Sequence, residues 1–166
     1  SIEEQFYIIF PITLIFFFKY FRKYLFLFFV IIFIFSLFLC QLLALKTGGT
    51  LNFYFTFSRA WELALGGICA YLIINKNLSY SILIKNILSL VGIVLILFSI
   101  FYFNRQTIFP SFYALLPTIG TGLIILFADE ETLVKKILSI KFFVGFGLIS
   151  YSLYLWHQPL LAFGRI

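Results

Sequence analysis

Tyr24-Leu25-Phe26-Leu27-Phe28-Phe29-Val30-Ile31-Ile32-Phe33-Ile34-Phe35-Ser36-Leu37-Phe38-Leu39-Cys40-Gln41-Leu42-Leu43-Ala44-Leu45 is an apolar run with no charge, no proline and no glycine. A helix that crosses the hydrocarbon core of a bilayer needs roughly 17–25 such residues, and this stretch meets that length. Working outward, five more segments read the same way: Glu3 to Phe18 (with Pro11 inside), Arg59 to Asn75, Asn86 to Phe103, Phe112 to Ala128 (with Pro117 inside) and Phe142 to Phe163. No repeat, Ser/Pro-rich linker or soluble domain separates them. The expected fold class is therefore all-α, a polytopic membrane bundle of about six transmembrane helices.

Composition leaves little room for another class. Of 166 residues, 63% are hydrophobic, 22% aromatic and 11% charged, and the mean hydropathy is +1.13. A small globule leaves much of its surface in water and has too little interior to hide this much apolar area, so the solvent is lipid. With Met 0 and an opening on Ser1 inside a motif-like stretch, the chain is expected to be part of a longer protein. The first apolar segment has no basic leader or small-residue cleavage site, so it does not read as a signal peptide.

The net charge of +6 falls in short loops between the apolar runs, which points to membrane topology and away from nucleic acid. One set of loops carries Lys19, Arg22, Lys23, Lys76, Lys85, Lys135, Lys136 and Lys141; the other carries Lys46, Arg59, Arg105 and Arg165. The richer set belongs in the cytoplasm by the positive-inside bias, so Ser1 and the C-terminus are expected on the outer side. Cys40 and Cys69 lie within apolar runs and read as small buried hydrophobes. A single histidine and no Cys-x-x-Cys give no metal-ligand spacing, so no metal site is expected.

That topology sends Glu3, Glu4, Gln5, Arg59, Glu62, Arg105, Trp156, His157 and Gln158 to one membrane face. Glu62 stands within an apolar helix, where an unpaired carboxylate is costly, and Arg59 one turn before it is in reach. Two readings stand: an ion pair that fixes helix depth with Trp61 in an aromatic belt, or a site pair at the mouth of the bundle. Gly66 and Ala70, at small-xxx-small spacing, would let a partner helix approach below the pair. Glu3 and Tyr7 share a face of the first helix, which Pro11 should kink. Pro117, Gly120 and Gly122 predict a bent, closely packed fifth helix.

His157 is the only side chain here whose unperturbed pKa lies near neutral pH. Ser150, Tyr154 and His157 follow i, i+4, i+7 and form one stripe. Tyr151, Tyr154 and Trp156 read most simply as an interfacial belt, to which His157 also fits. No acid on the same helix is spaced to orient the imidazole.

Four stretches carry a family likeness: Ser1-Ile2-Glu3-Glu4-Gln5-Phe6-Tyr7 running into Phe10-Pro11, Arg59-Ala60-Trp61-Glu62-Leu63 followed by Gly66, Pro117-Thr118-Ile119-Gly120-Thr121, and Ser150 through Pro159. In this order and spacing the chain resembles the acyltransferase 3 family of bacterial membrane proteins, which includes O-antigen acetylases. The resemblance spans the whole chain and implies the C-terminal portion of a polytopic domain of about ten helices. It implies acyl transfer, commonly acetyl from acetyl-CoA as donor substrate, to a hydroxyl of an exported carbohydrate such as lipopolysaccharide or another surface polysaccharide. The family's catalytic histidine is then expected in helices upstream of Ser1, with His157 in the closing signature only.

The expected protein is thus a membrane O-acyltransferase of the bacterial inner (plasma) membrane. Its partners would be membrane lipid, a carbohydrate acceptor and the missing N-terminal helices, with no bound cofactor. Supporting site residues are Glu3, Tyr7, Arg59, Glu62, Tyr154 and His157. Arg59 would be an anion contact, Glu62 its partner, Glu3 an acceptor lining the cavity and His157 a donor near the outer mouth. Intramembrane charge and proline-bent helices also fit a transporter or flippase subunit for a lipid-linked sugar or small anion, and a structural membrane subunit is the third reading.

Overall fold

A computed structural model of the chain describes residues 11, 13–15, 17, 19–48, 52, 55–75, 80–104 and 110–164. Among these residues the structure is helical, with no strand. The expected first helix falls largely outside the described residues.

Helix α1 spans Leu25–Thr47 and stops at Gly48, whose φ of 64° is left-handed. Glycine takes that conformation without a Cβ penalty, and Lys46 in the last turn suits the negative end of the helix dipole. Helix α2 spans Thr56–Asn75 and α3 spans Ile82–Tyr102. These three helices are long and apolar enough to cross a membrane. The α3 serines satisfy themselves within the helix: Ser89 donates to the Lys85 carbonyl at 2.7 Å and Ser99 to that of Leu95 at 2.7 Å. Back-bonding of this kind lets a hydroxyl sit in an apolar setting without an orphaned proton.

The fifth expected helix is shorter than its apolar run. A 3-10 turn over Phe112–Ala114 leads into α4, Leu115–Phe127, of 13 residues. At about 1.5 Å per residue α4 covers roughly 20 Å, short of a full crossing. Pro117 is its third residue, so the missing amide falls in the first turn, where it breaks no helix interior. Pro117 therefore suits the start of α4, which begins at Leu115 and not at Phe112. The close packing predicted from Gly120 and Gly122 is present: Gly120 lies against Gly92 of α3, and Gly122 against Leu65 and Cys69 of α2.

A short helix, α5 (Leu133–Leu138), is capped by Thr132, whose hydroxyl accepts from the Lys135 amide at 3.3 Å. Helix α6 spans Lys141–Phe163 with Pro159 inside, and nearly all of it is exposed.

The helices pair as two antiparallel hairpins, α1 with α2 and α3 with α4, joined through α2 and α4. On α2 the face toward α1 carries Trp61, Gly67 and Tyr71. Trp61 meets Phe33 edge to face at 6.0 Å, Gly67 presses on the Phe29 ring, and Tyr71 pairs with Phe26 at 5.4 Å. Two expectations are corrected here. Gly66 is exposed and a Cβ there would meet nothing within 4 Å, so Gly67 and not the Gly66/Ala70 stripe permits the close approach. One residue is about 100° around a helix, enough to turn Gly66 off that interface. Trp61 is fully buried against Cys40 and Ala114 and is not a belt residue.

Polar latches hold the two ends of the bundle. At one end, Gln41 accepts from the Phe112 amide at 3.1 Å, and Asn52 reaches both Cys40 and Pro110. At the other, Lys85 pairs with Asp129 at 2.8 Å and Asn86 accepts from the Leu133 amide at 2.9 Å. The N-termini of α2 and α4 thus share an end with the C-terminus of α1.

Candidate functional site

The site grows from the first turns of α2. Ser58 turns inward and donates to the Phe55 carbonyl at 2.8 Å, an entry bond that starts the helix. Ser36 of α1 accepts from the Trp61 amide at 3.0 Å and gives its own proton to the Phe57 carbonyl at 2.6 Å. Helix start, where backbone groups lack intrahelical partners, is therefore fastened by side chains from both sides.

With Ser58 and Trp61 committed to the core, Arg59 and Glu62 fall on the other side of the turn. Arg59 Nη2 donates to Glu62 Oε2 at 2.8 Å and Nε to Oε1 at 3.3 Å, a two-point pair. The side chains are 36% and 25% exposed. The guanidinium stays charged at any working pH and its planar fork fits a carboxylate, which fixes both groups in geometry. The carboxylate thereby avoids standing uncompensated in an apolar helix.

Glu62 is also the polar rim of a cavity of about 270 Å³ between α2 and α4. Leu65, Gly66 and Cys69 form one wall; Pro117, Thr118, Thr121, Gly122 and Ile125 form the other. From Glu62 to Cys69 is about 10 Å along the helix at 1.5 Å per residue. The Thr118 hydroxyl donates to the Ala114 carbonyl of the preceding turn and the Thr121 hydroxyl to the Pro117 carbonyl of its own helix, which leaves their lone pairs as acceptors. The arrangement offers a carboxylate held by a fixed guanidinium outside the lining, hydroxyl oxygens on one wall and apolar side chains around them.

Of the sequence-predicted residues, the structure brings together Arg59 and Glu62. Glu3 and Tyr7 lie outside the described residues, as does Arg105. Tyr154 and His157 are both exposed on α6, rings 5.6 Å apart, and the His157 Nδ1 contacts the Tyr154 carbonyl of its own helix. A carbonyl only accepts, so in that contact Nδ1 is the donor. Among the described residues, no hydrogen bond or ion pair joins His157 to Arg59 or Glu62. The cysteines are free and buried: Cys40 in the core beside Trp61, Cys69 on the cavity wall.

Sequence reasoning missed Asn52, Ser36 and the two threonines as site-forming groups. Ser36 carried a signal, as the one hydroxyl in the apolar run from Leu25 to Leu39. Asn52 carried none, since an asparagine between helices is ordinary.

Residues 1–165 match the acyltransferase domain family, acyltransferase 3. The O-acetyltransferase OatA of Staphylococcus aureus is 30% identical over 174 residues in strains NCTC 8325, COL and MRSA252, covering 98% of this chain. The chain spans 28% of the length of those relatives. No solved structure matches. The chain is an integral membrane protein segment by its apolar helices and its relatives, and it belongs to the acyltransferase 3 family.

Proposed function

We propose that the chain is the C-terminal portion of a membrane O-acyltransferase domain that moves an acetyl group from acetyl-CoA to a hydroxyl of an exported or cell-surface carbohydrate. The observation that carries this reading is the two-point pair that Arg59 makes with Glu62, a lining residue of the α2–α4 cavity. Membership of the acyltransferase 3 family and the name O-acetyltransferase on the relatives support it.

In such a transfer the sugar oxygen bonds to the acyl carbon, the carbon–sulfur bond breaks, the hydroxyl proton passes to a base and the thiol of CoA leaves. Negative charge develops on the acyl oxygen, and a positioned cation or hydrogen-bond donor there lowers the barrier. Arg59 takes that role, with Glu62 holding its fork at a fixed angle. The Thr118 and Thr121 oxygens accept from the incoming sugar hydroxyls. General base duty falls to a histidine in helices N-terminal to this segment, following the family likeness. In this proposal Glu3, Tyr7, Tyr154 and His157 are the further supporting residues that the family likeness suggests, and Ser1 and the C-terminus face the outer side of the bacterial inner membrane.

Membranes containing the full-length protein, given radiolabelled acetyl-CoA, are expected to place alkali-labile label in glycan above the level of membranes from a deletion strain. Equal labelling, together with gene-dependent passage of a sugar or anion across sealed vesicles, would overturn the proposal in favour of transport.

A further inference from the structure

We infer that Asn52 is a positioning residue for the Arg59–Glu62 site, an inference that rests on reading that pair as the working charge. Asn52 is fully buried. Its Nδ2 donates at 2.9 Å to the Cys40 carbonyl in α1 and at 2.9 Å to the Pro110 carbonyl at the entrance to α4. Its backbone carbonyl accepts from the Ser58 hydroxyl at 3.5 Å. The side chain thus joins the last third of α1 to the approach to α4, segments 12 and 58 residues away along the chain, and the backbone of the same residue reaches the start of α2, 6 residues on.

The chemistry fixes the amide's orientation. Both partners of Nδ2 are carbonyls, which only accept, so the flipped amide would set Oδ1 against two oxygens. In the orientation that works, Oδ1 is buried with no hydrogen-bond partner. A buried orphan acceptor weakens a fold, and an apolar residue at this position would avoid it. Stability alone therefore does not account for Asn52; the two donated bonds do.

What those bonds hold is the angle at which α2 begins. Ser36 fastens the turn from Phe57 to Trp61, and Asn52 fastens the connection that feeds it. A slip of one residue would turn α2 by about 100° and carry Glu62 off the cavity rim. Asn52 also ties that start to the segment entering α4, whose Pro117, Thr118 and Thr121 form the opposite wall. It sets both the rotation of the charged pair and its separation from the facing wall, while touching neither the pair nor the cavity lining.

The test is a double-mutant cycle in the full-length protein, read as acetyl-transfer rates against acetyl-CoA concentration alongside thermal midpoints in detergent. Asn52→Asp keeps the size but presents an acceptor to both carbonyls. It is expected to lower kcat about tenfold or more with little change in KM for the donor. In an Arg59→Lys background the same change is expected to cost no more than about twofold further, because the misplaced group is already altered. Should the aspartate variant fail to reach the membrane, Asn52→Ala carries the same cycle without burying a carboxylate. Equal losses in both backgrounds, or rates within about twofold of wild type for the Asn52 variant, would overturn the inference. A full rate for Arg59→Lys and Glu62→Gln would overturn the reading of the pair and the inference with it. Lowered rates for those two beside an unaffected Asn52 variant overturn the inference alone.

Discussion

Gly92 and Gly120 meet backbone against backbone where α3 crosses α4. A Cβ on Gly92 would stand 2.6 Å from the Gly120 carbonyl oxygen, and one on Gly120 would stand 2.7 Å from that of Gly92. Neither contact can be relieved by turning a side chain. Gly92→Ala is expected to lower stability in detergent by about 1–3 kcal/mol, the range for overpacking a close interface. Gly145→Ala on α6, where a Cβ meets nothing within 4 Å, is the matched control and is expected to cause no loss. Thermal or denaturant unfolding of the two variants measures the difference.

Ser36 links α1 to the first turn of α2 through both of its hydrogen bonds. Ser36→Ala leaves the Trp61 amide without that acceptor in a buried setting. A loss of about 1–3 kcal/mol is expected, the usual penalty for a buried group deprived of its partner. The same unfolding measurement checks it, and Ser36→Thr is expected to recover part of the loss.

Lys85 and Asp129 clasp the opposite end of the bundle. Hydrogen bonding from Lys85, then from the Glu130 amide, and the Lys85 charge hold the Asp129 carboxyl below its ordinary value of 3.8. A carboxyl lowered by folding contributes stability above its unfolded value and loses it as pH falls through the lower folded value. The thermal midpoint of Asp129→Asn is therefore expected below wild type near neutral pH, with the gap closing as pH falls below the ordinary carboxyl value of 3.8. Because the pair is exposed, the gap is small and shrinks with added salt.

His157 engages its own helix through the Tyr154 carbonyl and is exposed. A general base contributes about 10²–10⁴-fold to rate, so removing one is conspicuous. His157→Ala in the full-length protein is expected to lower acetyl transfer by less than about tenfold, below the range for a lost base. Initial rates in membranes at matched expression check it.

The apolar runs made the helices legible because lipid demands length and a satisfied backbone, and both are written in order along the chain. Arg59 and Glu62 were legible for the same reason: charge within an apolar helix stands out. Helix faces were harder to read. Gly66 and Gly67 are neighbours, and only the packing against Phe29 decides which of them admits the close approach. Trp61 reads as a belt residue from its place near a helix end, yet it is fully buried in a cluster with Cys40 and Ala114 on which Phe33, Leu37 and Leu115 pack. The length of α4 was masked by the apolar 3-10 turn that precedes it, since hydropathy does not distinguish the two backbones. Asn52 gave no sign at all, because its partners are carbonyls, and carbonyls have no signature in a sequence.

The central claim is that the Glu62 carboxylate, which lines the α2–α4 cavity and fixes the Arg59 fork beside it, serves acyl transfer. Its most direct test is the rate of acetyl transfer from radiolabelled acetyl-CoA to glycan by full-length Glu62→Gln at matched membrane abundance and thermal midpoint. Glutamine keeps the shape and one acceptor but removes the charge. The rate is expected to fall about tenfold or more, the effect of loosening a group that stabilises transition-state charge. Transfer within about twofold of wild type would contradict the account.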